Sequence, residues 1–265
     1  MAETVSTGSR IGILLRDWRR RRRLSQMELA LEAGVSTRHL SFVETGRSKP
    51  SPEMVLHLAE RLEVPLRDRN QLLLAAGYAP MYGARSLDDA AMTPIRDALG
   101  RVLAGHEPYP AMAVDRWWNL VASNSALDPL LEGVNPQLLQ PPVNCMRLAL
   151  HPDGLASRIL NRAEWRGHLL ERLDRQIVLT GDDSLAELLE ELKGYPGPDL
   201  SQCAPSGEIM VELRLESENG ELAFFSTVTT FGTAVDITVA ELSIEAFFPA
   251  DAQTAAALSA LAAAA

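Results

Sequence analysis

The first 77 residues combine short apolar helix faces with residues that start or stop helices. The earliest face has the i, i+3, i+4, i+7 spacing of one side of an α-helix: Ile11, Leu14, Leu15 and Trp18. Three serines are suited to cap the helices that follow them: Ser25, Ser36 and Ser51. Three glycines are suited to end the preceding ones: Gly34, Gly46 and Gly77. The pattern predicts five short helices between residues 10 and 77.

The second and third of these helices form one unit. A helix over residues 26–33, a turn at Gly34 and a helix over residues 37–44 have the lengths and the connection of a helix-turn-helix motif. Leu29 and Leu40 are expected to face inward, with Val35 in the angle between the two helices. The sequence therefore predicts an all-α head.

Residues 25–51 resemble the Cro/C1-type (XRE) helix-turn-helix family, and the resemblance extends over residues 10–77. It is carried by these residues: Ser25-Gln26, Leu29-Ala30, Ala33-Gly34-Val35-Ser36, Leu40-Ser41, Glu44, Gly46-Arg47 and Pro50-Ser51. So many matches at fixed spacing are far more specific than a glycine turn alone. The resemblance implies that the third helix enters the DNA major groove with its N-terminus leading.

Six residues are the candidate DNA contacts: Gln26, Thr37, Arg38, Ser41, Phe42 and Arg47. Arg38 can bind guanine O6 and N7 as a fork, and Phe42 or the Thr37 methyl can touch a thymine methyl. Gln26 can hold a phosphate with the first N–H groups of its helix, and Arg47 can reach the DNA backbone or the minor groove. For Phe42, a core position remains the alternative. The arginines at positions 19–23 are either near the DNA backbone or on a solvated face.

The pattern changes twice after the head. Residues 77–88 break the helical spacing and are the expected hinge. Beyond them we expect a helix over residues 88–103 with Val102 inward, a β-hairpin over residues 114–121 with Trp117 and Trp118 on opposite faces of a strand, and a long helix over residues 156–179. In the last third, apolar residues at positions 209–215 alternate with polar ones, which predicts a half-buried strand. Asn219-Gly220 is a hairpin turn signal, and two further strands are expected over residues 222–231 and 235–247.

These elements predict a multidomain protein. Two hairpin strands and three later strands would form a five-stranded antiparallel sheet with helices on one face, which is an α+β, PAS-like layout. The alanine-rich tail over residues 251–265 would form a last helix. The expected organisation is an all-α helix-turn-helix domain over residues 1–82 and an α+β domain for ligand binding and dimerisation over residues 83–265.

Three runs of the second domain resemble the PAS-like ligand-binding domain of MmyB/MltR-type regulators: residues 107–126, 144–161 and 224–251. The linker sequence GYAP at residues 77–80 is also typical of them, and the resemblance covers about residues 88–258. In that family the domain follows an XRE-type helix-turn-helix, as it does here. The resemblance implies a transcription factor with a hydrophobic effector, for which a fatty acid is one candidate.

Such an effector would lie between the sheet and its helices. Phe224 and Phe225 are adjacent on one strand, so one of them must face that space. The side chains expected around it are Trp118, Leu120, Leu127, Leu131, Met146, Leu150, Phe224, Val228 and Phe231. A carboxylate head group would need a cation, for which Arg147 and Arg116 are the candidates. The alternative is that these side chains fill a solid core.

Charge is divided unevenly along the chain. The net charge is −10, yet residues 1–82 carry 13 Lys and Arg against 9 Asp and Glu, whereas residues 83–265 carry 12 against 26. A basic head on an acidic body can bind double-stranded DNA locally. One short helix reads too few base pairs to select a site, so we expect a homodimer on a palindromic operator, held mainly through the acidic body.

Several function classes lack their sequence signatures. No nucleophile elbow, P-loop, GxGxxG or HExxH motif occurs, and Cys145 and Cys203 form no metal-binding pattern, so we expect neither an enzyme nor a metal or cofactor. The acid/base candidates are Asp115, Asp128, His151, Asp153, Glu164 and His168. No run of about 18 apolar residues and no secretory signal is visible, which indicates a cytoplasmic protein without membrane contact. The alternative function is a DNA-binding protein whose second domain is a ligand-free dimerisation or interaction module.

Overall fold

The computed structural model describes residues 7–198, 210–218 and 220–264. Cys203, Ile209 and Asn219 therefore lie outside the described residues. The chain divides into two compact units, one formed mainly by residues before Ser86 and the other mainly by later residues. Among the described residues, no helix has both the length and the apolar composition needed to cross a membrane.

The first unit contains the five helices that the sequence predicts. They are α1 (Thr7–Arg21), α2 (Gln26–Glu32), α3 (Thr37–Glu44), α4 (Pro52–Arg61) and α5 (Leu66–Ala75). The side chains of Ser25, Ser36 and Ser51 each accept a hydrogen bond from the backbone N–H three residues later, so the predicted caps are confirmed. Gly34 and Gly46 have φ of +62° and +74°, a conformation in which a Cβ would be strained.

All five helices contribute to one apolar core. Its fully buried side chains include Ile11, Leu15, Leu40, Leu58 and Leu73. This burial removes apolar surface from water, which is the main favourable contribution to folding. The core fixes the angle between α2 and α3, and α3 thereby presents its outer face to solvent.

Residues in the first half of the predicted hinge are fixed to the first unit. The Asn70 side chain accepts hydrogen bonds from the backbone N–H groups of Met81 and Tyr82 and donates one to the Tyr82 carbonyl. The Tyr78 hydroxyl donates to the Pro50 carbonyl at 2.9 Å. The first half of the segment over residues 77–88 is therefore a folded extension of α5.

The second unit is built on a five-stranded antiparallel sheet. Its strands are β1 (Ala111–Val114), β2 (Leu120–Ser123), β3 (Leu213–Ser217), β4 (Gly220–Thr230) and β5 (Ser243–Pro249). Their order is β2-β1-β5-β4-β3, so the last strand lies at the centre between β1 and β4. The predicted five-stranded antiparallel sheet is confirmed.

Helices surround this sheet. They are α6 (Thr93–Ala104), α7 (Cys145–Leu150), α8 (Arg162–Thr180), α9 (Asp183–Lys193), α10 (Ile237–Ala240) and α11 (Ala252–Ala264). Short 3-10 helices occupy Ala90–Met92, Ser125–Leu131 and Pro136–Leu139.

Helices pack on both faces of the sheet, contrary to the prediction that they pack on one face only. On one face a large core joins β3, β4 and β5 to α7, α8, α9 and α11. On the other face, Leu99 and Leu103 of α6 pack on Ala111, Ala113 and Ile244. Val102, predicted to face inward, is 47% exposed, because the inward positions of α6 are Leu99 and Leu103.

Three segments depart from their predicted elements because tertiary hydrogen bonds override local patterning. Residues 158–160 are not helical, since they pair with the edge strand β3 through the Leu160 N–H and the Arg158 carbonyl. The strand predicted from residue 235 begins only at Ser243, because its neighbours end there, at Val114 and Thr230. Trp118 lies in a turn and not in a strand.

Candidate functional site

The outer face of α3 carries a group of exposed or half-buried side chains. Thr37, Arg38 and Arg47 are exposed, and Ser41 and Phe42 are half-buried. Five of the six predicted DNA contacts therefore lie on or beside the solvent-facing side of this helix. Their proximity is a property of the fold, and their role as DNA contacts remains a prediction.

Phe42 forms a platform for two arginines and does not belong to the core. The guanidinium carbon of Arg38 lies 5.3 Å from the centre of the Phe42 ring, and that of Arg47 lies 5.9 Å away. Both distances are within the range of a cation–π interaction. Neither guanidinium has an ion pair or a side-chain hydrogen bond with a described residue, so both charges remain available to an anionic partner.

Glu44 is the buried centre of the first unit. Its carboxylate accepts two hydrogen bonds from Arg19, at 2.7 Å from Nε and 2.9 Å from Nη2. The Gln26 amide donates to the same carboxylate at 2.8 Å, and the Arg16 Nε lies 3.6 Å from it. This network ties α1 and α2 to the C-terminal end of α3.

The network changes the interpretation of two predictions. Arg19 belongs to the interior and not to a solvated arginine face, and Arg22 of the same run donates to the carbonyls of Leu62 and Glu63. Gln26 has one amide hydrogen committed to Glu44, so this bond fixes the direction of its side chain. The sequence signal for Glu44 was its spacing, since it follows Leu40 by four residues and shares its helix face.

Hydrogen bonds keep the buried Glu44 carboxyl ionised. Burial by itself would raise its pKa, but the hydrogen bonds from Arg19 and Gln26 and the charges of Arg19 and Arg16 together lower that pKa below its ordinary value of 4.5. Arg19 in turn has a raised pKa because of its hydrogen bonds to Glu44, although burial opposes this shift. The ion pair is therefore charged at neutral pH.

An apolar cavity of about 70 Å³ lies in the second unit, between the sheet and the helices packed on it. Five of the predicted ligand contacts line it: Trp118, Leu127, Leu131, Met146 and Phe224. Further lining comes from α7, α8, the strands and the segment that precedes α8: Met112, Cys145, Leu148, Ile159, Trp165, Leu169, Leu213, Leu215 and Phe247. Sequence reasoning missed these because residues distant along the chain meet here.

The other predicted ligand contacts lie elsewhere. Leu120 and Leu150 pack in the surrounding core without lining the cavity. Val228 is 48% exposed, because β4 extends beyond the helices that cover Phe224. Phe231 packs with Leu99 on the opposite side of the sheet.

Both arginines predicted to bind a head group are held in ion pairs away from the cavity. Arg147 pairs with Glu191 at 2.7 Å on the surface, where its side chain is 43% exposed. Arg116 pairs with Asp182 at 2.8 Å and with Glu241 at 2.9 Å, and its side chain is nearly buried. Among the described residues that line the cavity, the charged side chain is Glu245.

Glu245 brings a carboxylate into this apolar surrounding. It belongs to β5 and its side chain is only 4% exposed. Arg172 of α8 donates to its Oε1 at 2.9 Å, and the Ser226 hydroxyl donates to the same oxygen at 3.0 Å. Glu245 and Phe247, which both line the cavity, are two residues apart and so face the same side of the strand.

Trp118 reaches the cavity through an unusual backbone conformation. Its φ is +68°, which is rare for a bulky side chain and costs energy. The conformation is held by the Trp118 carbonyl, which accepts from the Cys145 N–H at 2.8 Å, and by the indole N–H, which donates to Gln176 at 2.8 Å. The Arg172 guanidinium carbon lies 4.4 Å from the ring centre.

His151, Asp153 and Asp115, three of the residues considered for acid/base chemistry, form ordinary structural contacts. His151 accepts from the Asp153 N–H at 3.1 Å, so the predicted turn is present. Asp115 accepts from the N–H groups of Trp117 and Asn119 in the turn between β1 and β2. Within the described residues, no group of three or more His, Cys, Asp or Glu side chains is arranged to hold a metal ion.

Comparisons with known protein families match both parts of the chain. A helix-turn-helix domain family matches residues 10–72. The family described as the MmyB-like transcription regulator ligand binding domain matches residues 95–261, which is more than half of the chain's 265 residues. A comparison with curated proteins found no match.

Two solved structures of the clp gene regulator ClgR from C. glutamicum are similar to part of this chain. One is 28% identical, with a TM-score of 0.24, and the similarity covers 27% of this chain and 90% of that one. The other is 25% identical, also with a TM-score of 0.24, and covers 39% of this chain and 96% of that one.

Proposed function

The chain belongs to the MmyB-like transcription regulators, and from this premise we propose that it binds a specific DNA operator with an affinity set by a small apolar effector. The observation that carries the proposal is the outer face of α3, where Arg38 and Arg47 flank Phe42 without an ion pair to any described residue. Free guanidinium groups beside an apolar ring suit a surface that meets phosphates, guanine edges and thymine methyl groups.

In the proposed complex, α3 enters the major groove with Thr37 and Arg38 leading. Arg38 binds a guanine, and Ser41 and Phe42 contact bases one helical turn further along. Gln26 and Arg47 hold the DNA backbone and so set the position of the helix. Two copies of the chain bind a palindrome, since their two-fold symmetry repeats the contacts at half-sites about 34 Å apart, or a multiple of that distance.

Selection of binding sequences from a random DNA library tests this proposal with the full-length chain. We expect a two-fold symmetric motif, and native mass spectrometry should give a dimer. Arg38→Ala should remove the preference at one base pair of each half-site, at a cost of about 1–3 kcal/mol. Arg47→Ala should weaken binding to all sequences alike.

The control is Arg61→Ala, which removes another exposed arginine, at the end of α4. It should leave both affinity and base preference unchanged. If no sequence is enriched, or if Arg38→Ala behaves like Arg61→Ala, the proposed docking is wrong.

We further propose that the second unit is a PAS-like sensor whose effector occupies the cavity beside Trp118 and Phe224, with a fatty acyl chain as one candidate. The apolar lining supports this assignment. Sites for drug-sized ligands measure roughly 300–1,000 Å³, so a cavity of about 70 Å³ must enlarge to hold a long chain. The movement of the walls would be the step that connects the effector to DNA binding.

A panel of C8 to C18 fatty acids tests the effector through two readouts. A ligand should raise the melting temperature and also change operator affinity, because a ligand shifts an equilibrium only by its differential affinity for the two states. One observation favours the alternative of a ligand-free dimerisation module, namely the small volume of the cavity. An unchanged melting temperature and operator affinity with every acid would support that alternative and leave the DNA-binding proposal intact.

A further inference from the structure

We propose that Glu245 anchors the effector, which is an apolar molecule carrying a neutral hydrogen-bond donor, such as an alcohol or a primary amide. This inference rests on the proposed function, because it assigns a head group to the effector of the same cavity. The sequence suggested a carboxylate head group, which accepts hydrogen bonds. The head group proposed here donates a hydrogen bond instead.

The two oxygens of Glu245 are in different situations. Oε1 accepts both hydrogen bonds, from Arg172 at 2.9 Å and from Ser226 at 3.0 Å. Oε2 has no hydrogen-bond donor among the residues that the structure describes. A carboxylate oxygen without a donor is costly in an apolar surrounding, so an O–H or N–H group from a ligand would offset that cost.

The charges around Glu245 select a neutral head group. Arg172 already balances the Glu245 charge, and Arg172 itself lies over the Trp118 ring and does not line the cavity. A carboxylate ligand would meet the Glu245 carboxylate with no cation among the described lining residues. An ammonium ligand would place a second cation beside Arg172.

The rest of the cavity offers no competing polar anchor on its described walls. Apart from Glu245 the lining is apolar, and Cys145 keeps its proton because burial, followed by the charges of Glu245 and Asp115, raises the pKa of its thiol to about 12. The Trp118 indole N–H is already committed to Gln176. The hydrocarbon part of the effector would therefore lie against Met146, Phe224 and their neighbours, with its donor on Oε2.

Four six-carbon probes test the head group on the full-length wild-type chain by titration calorimetry at pH 7.5. They are 1-hexanol, hexanamide, hexanoate and hexyl methyl ether. The alcohol and the amide should bind at least about tenfold more tightly than the ether, which lacks a donor, and than the acid anion. That ratio corresponds to about 1.4 kcal/mol.

Glu245→Gln removes the charge and keeps the shape. It should reduce the preference for 1-hexanol over the ether and raise the affinity for hexanoate, because the repulsion is gone. The matched control is Glu191→Gln, which makes the same change in the surface pair with Arg147 and should leave the ranking of the probes as in wild type.

The possible failures are distinguishable. If hexanoate or the ether binds wild type as tightly as the alcohol, the head-group assignment is overturned while the effector proposal stands. The same holds if folded Glu245→Gln keeps the wild-type ranking. If Glu245→Gln does not fold, the wild-type ranking alone decides. If neither these probes nor the C8 to C18 acids bind, both the head group and the effector are wrong.

Discussion

Replacing Glu44 by glutamine should lower the free energy of unfolding of the first unit. The substitution keeps the size of the side chain and removes its charge. Arg19 would then be a buried cation without its counter-ion, since its side chain is only 11% exposed and that of Glu44 is fully buried. The change also weakens the hydrogen bond that directs Gln26.

The expected cost follows from this geometry. Removing one partner of a buried ion pair costs about 3–5 kcal/mol. The lower end applies here, because Arg19 keeps some exposure and a 2.7 Å hydrogen bond to the Leu24 carbonyl. The ion pair of Arg16 with Glu44 contributes less than about 1 kcal/mol to stability, because the Arg16 side chain is 35% exposed and its Nε lies 3.6 Å from the carboxylate. We therefore expect a loss of about 3 kcal/mol in the free energy of unfolding of this unit.

Hydrogen exchange followed by mass spectrometry measures this loss in the full-length chain. Amides of α1, α2 and α3 should exchange about a hundredfold faster in Glu44→Gln, while those of the second unit should not change. In wild type the same protection should fall as the pH drops below 4.5. The pKa of Glu44 is lowered in the folded state, so its stabilisation is complete above the unfolded value and is lost as the carboxylate takes up a proton.

Two variants serve as controls for the ion pair. Glu32→Gln changes an exposed glutamate of α2 and should leave exchange unaffected. The double substitution Arg19→Met with Glu44→Leu removes both charges and should recover most of the stability, since apolar pairs can replace buried ion pairs. If Glu44→Gln exchanges like Glu32→Gln, the buried pair is not the element that holds the helices together.

Other measurements test the second unit. Phe224→Ala should lower the free energy of unfolding by about 3–5 kcal/mol in urea titrations. Val228→Ala should lower it by less than about 0.5 kcal/mol, because that side chain is half exposed. Equal effects would refute the assignment of the two side chains to different surroundings. Burial, together with nearby arginine charges, lowers the pKa of His168. The unfolded chain therefore takes up a proton at a higher pH than the folded chain, and the free energy of unfolding should fall as the pH drops below 6.5. In His168→Gln this part of the pH dependence should be absent. Burial raises the pKa of the Cys145 thiol to about 12, so it should resist iodoacetamide at pH 8 until the protein unfolds. Labelling is measured by mass spectrometry of the peptide that contains Cys145. Rapid labelling in the native state would contradict its burial.

Much of the first unit was determined by the sequence alone. Its helices are short, and their limits are set by residues that act locally, such as the Ser36 side chain on the His39 N–H and the positive φ of Gly34. Local signals of this kind need no knowledge of the rest of the chain. The five-stranded sheet was also predictable, because alternation of apolar and polar residues before the Asn219-Gly220 turn indicates a strand with one buried face that begins a hairpin.

Only the tertiary structure decided which of these residues meet. Residues 158–160 have a helical pattern but pair with β3, and Phe231 packs on the face of the sheet opposite the cavity. The Glu44 and Glu245 ion pairs join residues 25 and 73 positions apart. Periodicity assigns a side chain to a face of its own element, whereas partners, ion pairs and cavities depend on how separate elements pack, and that information is not contained in any local stretch of sequence.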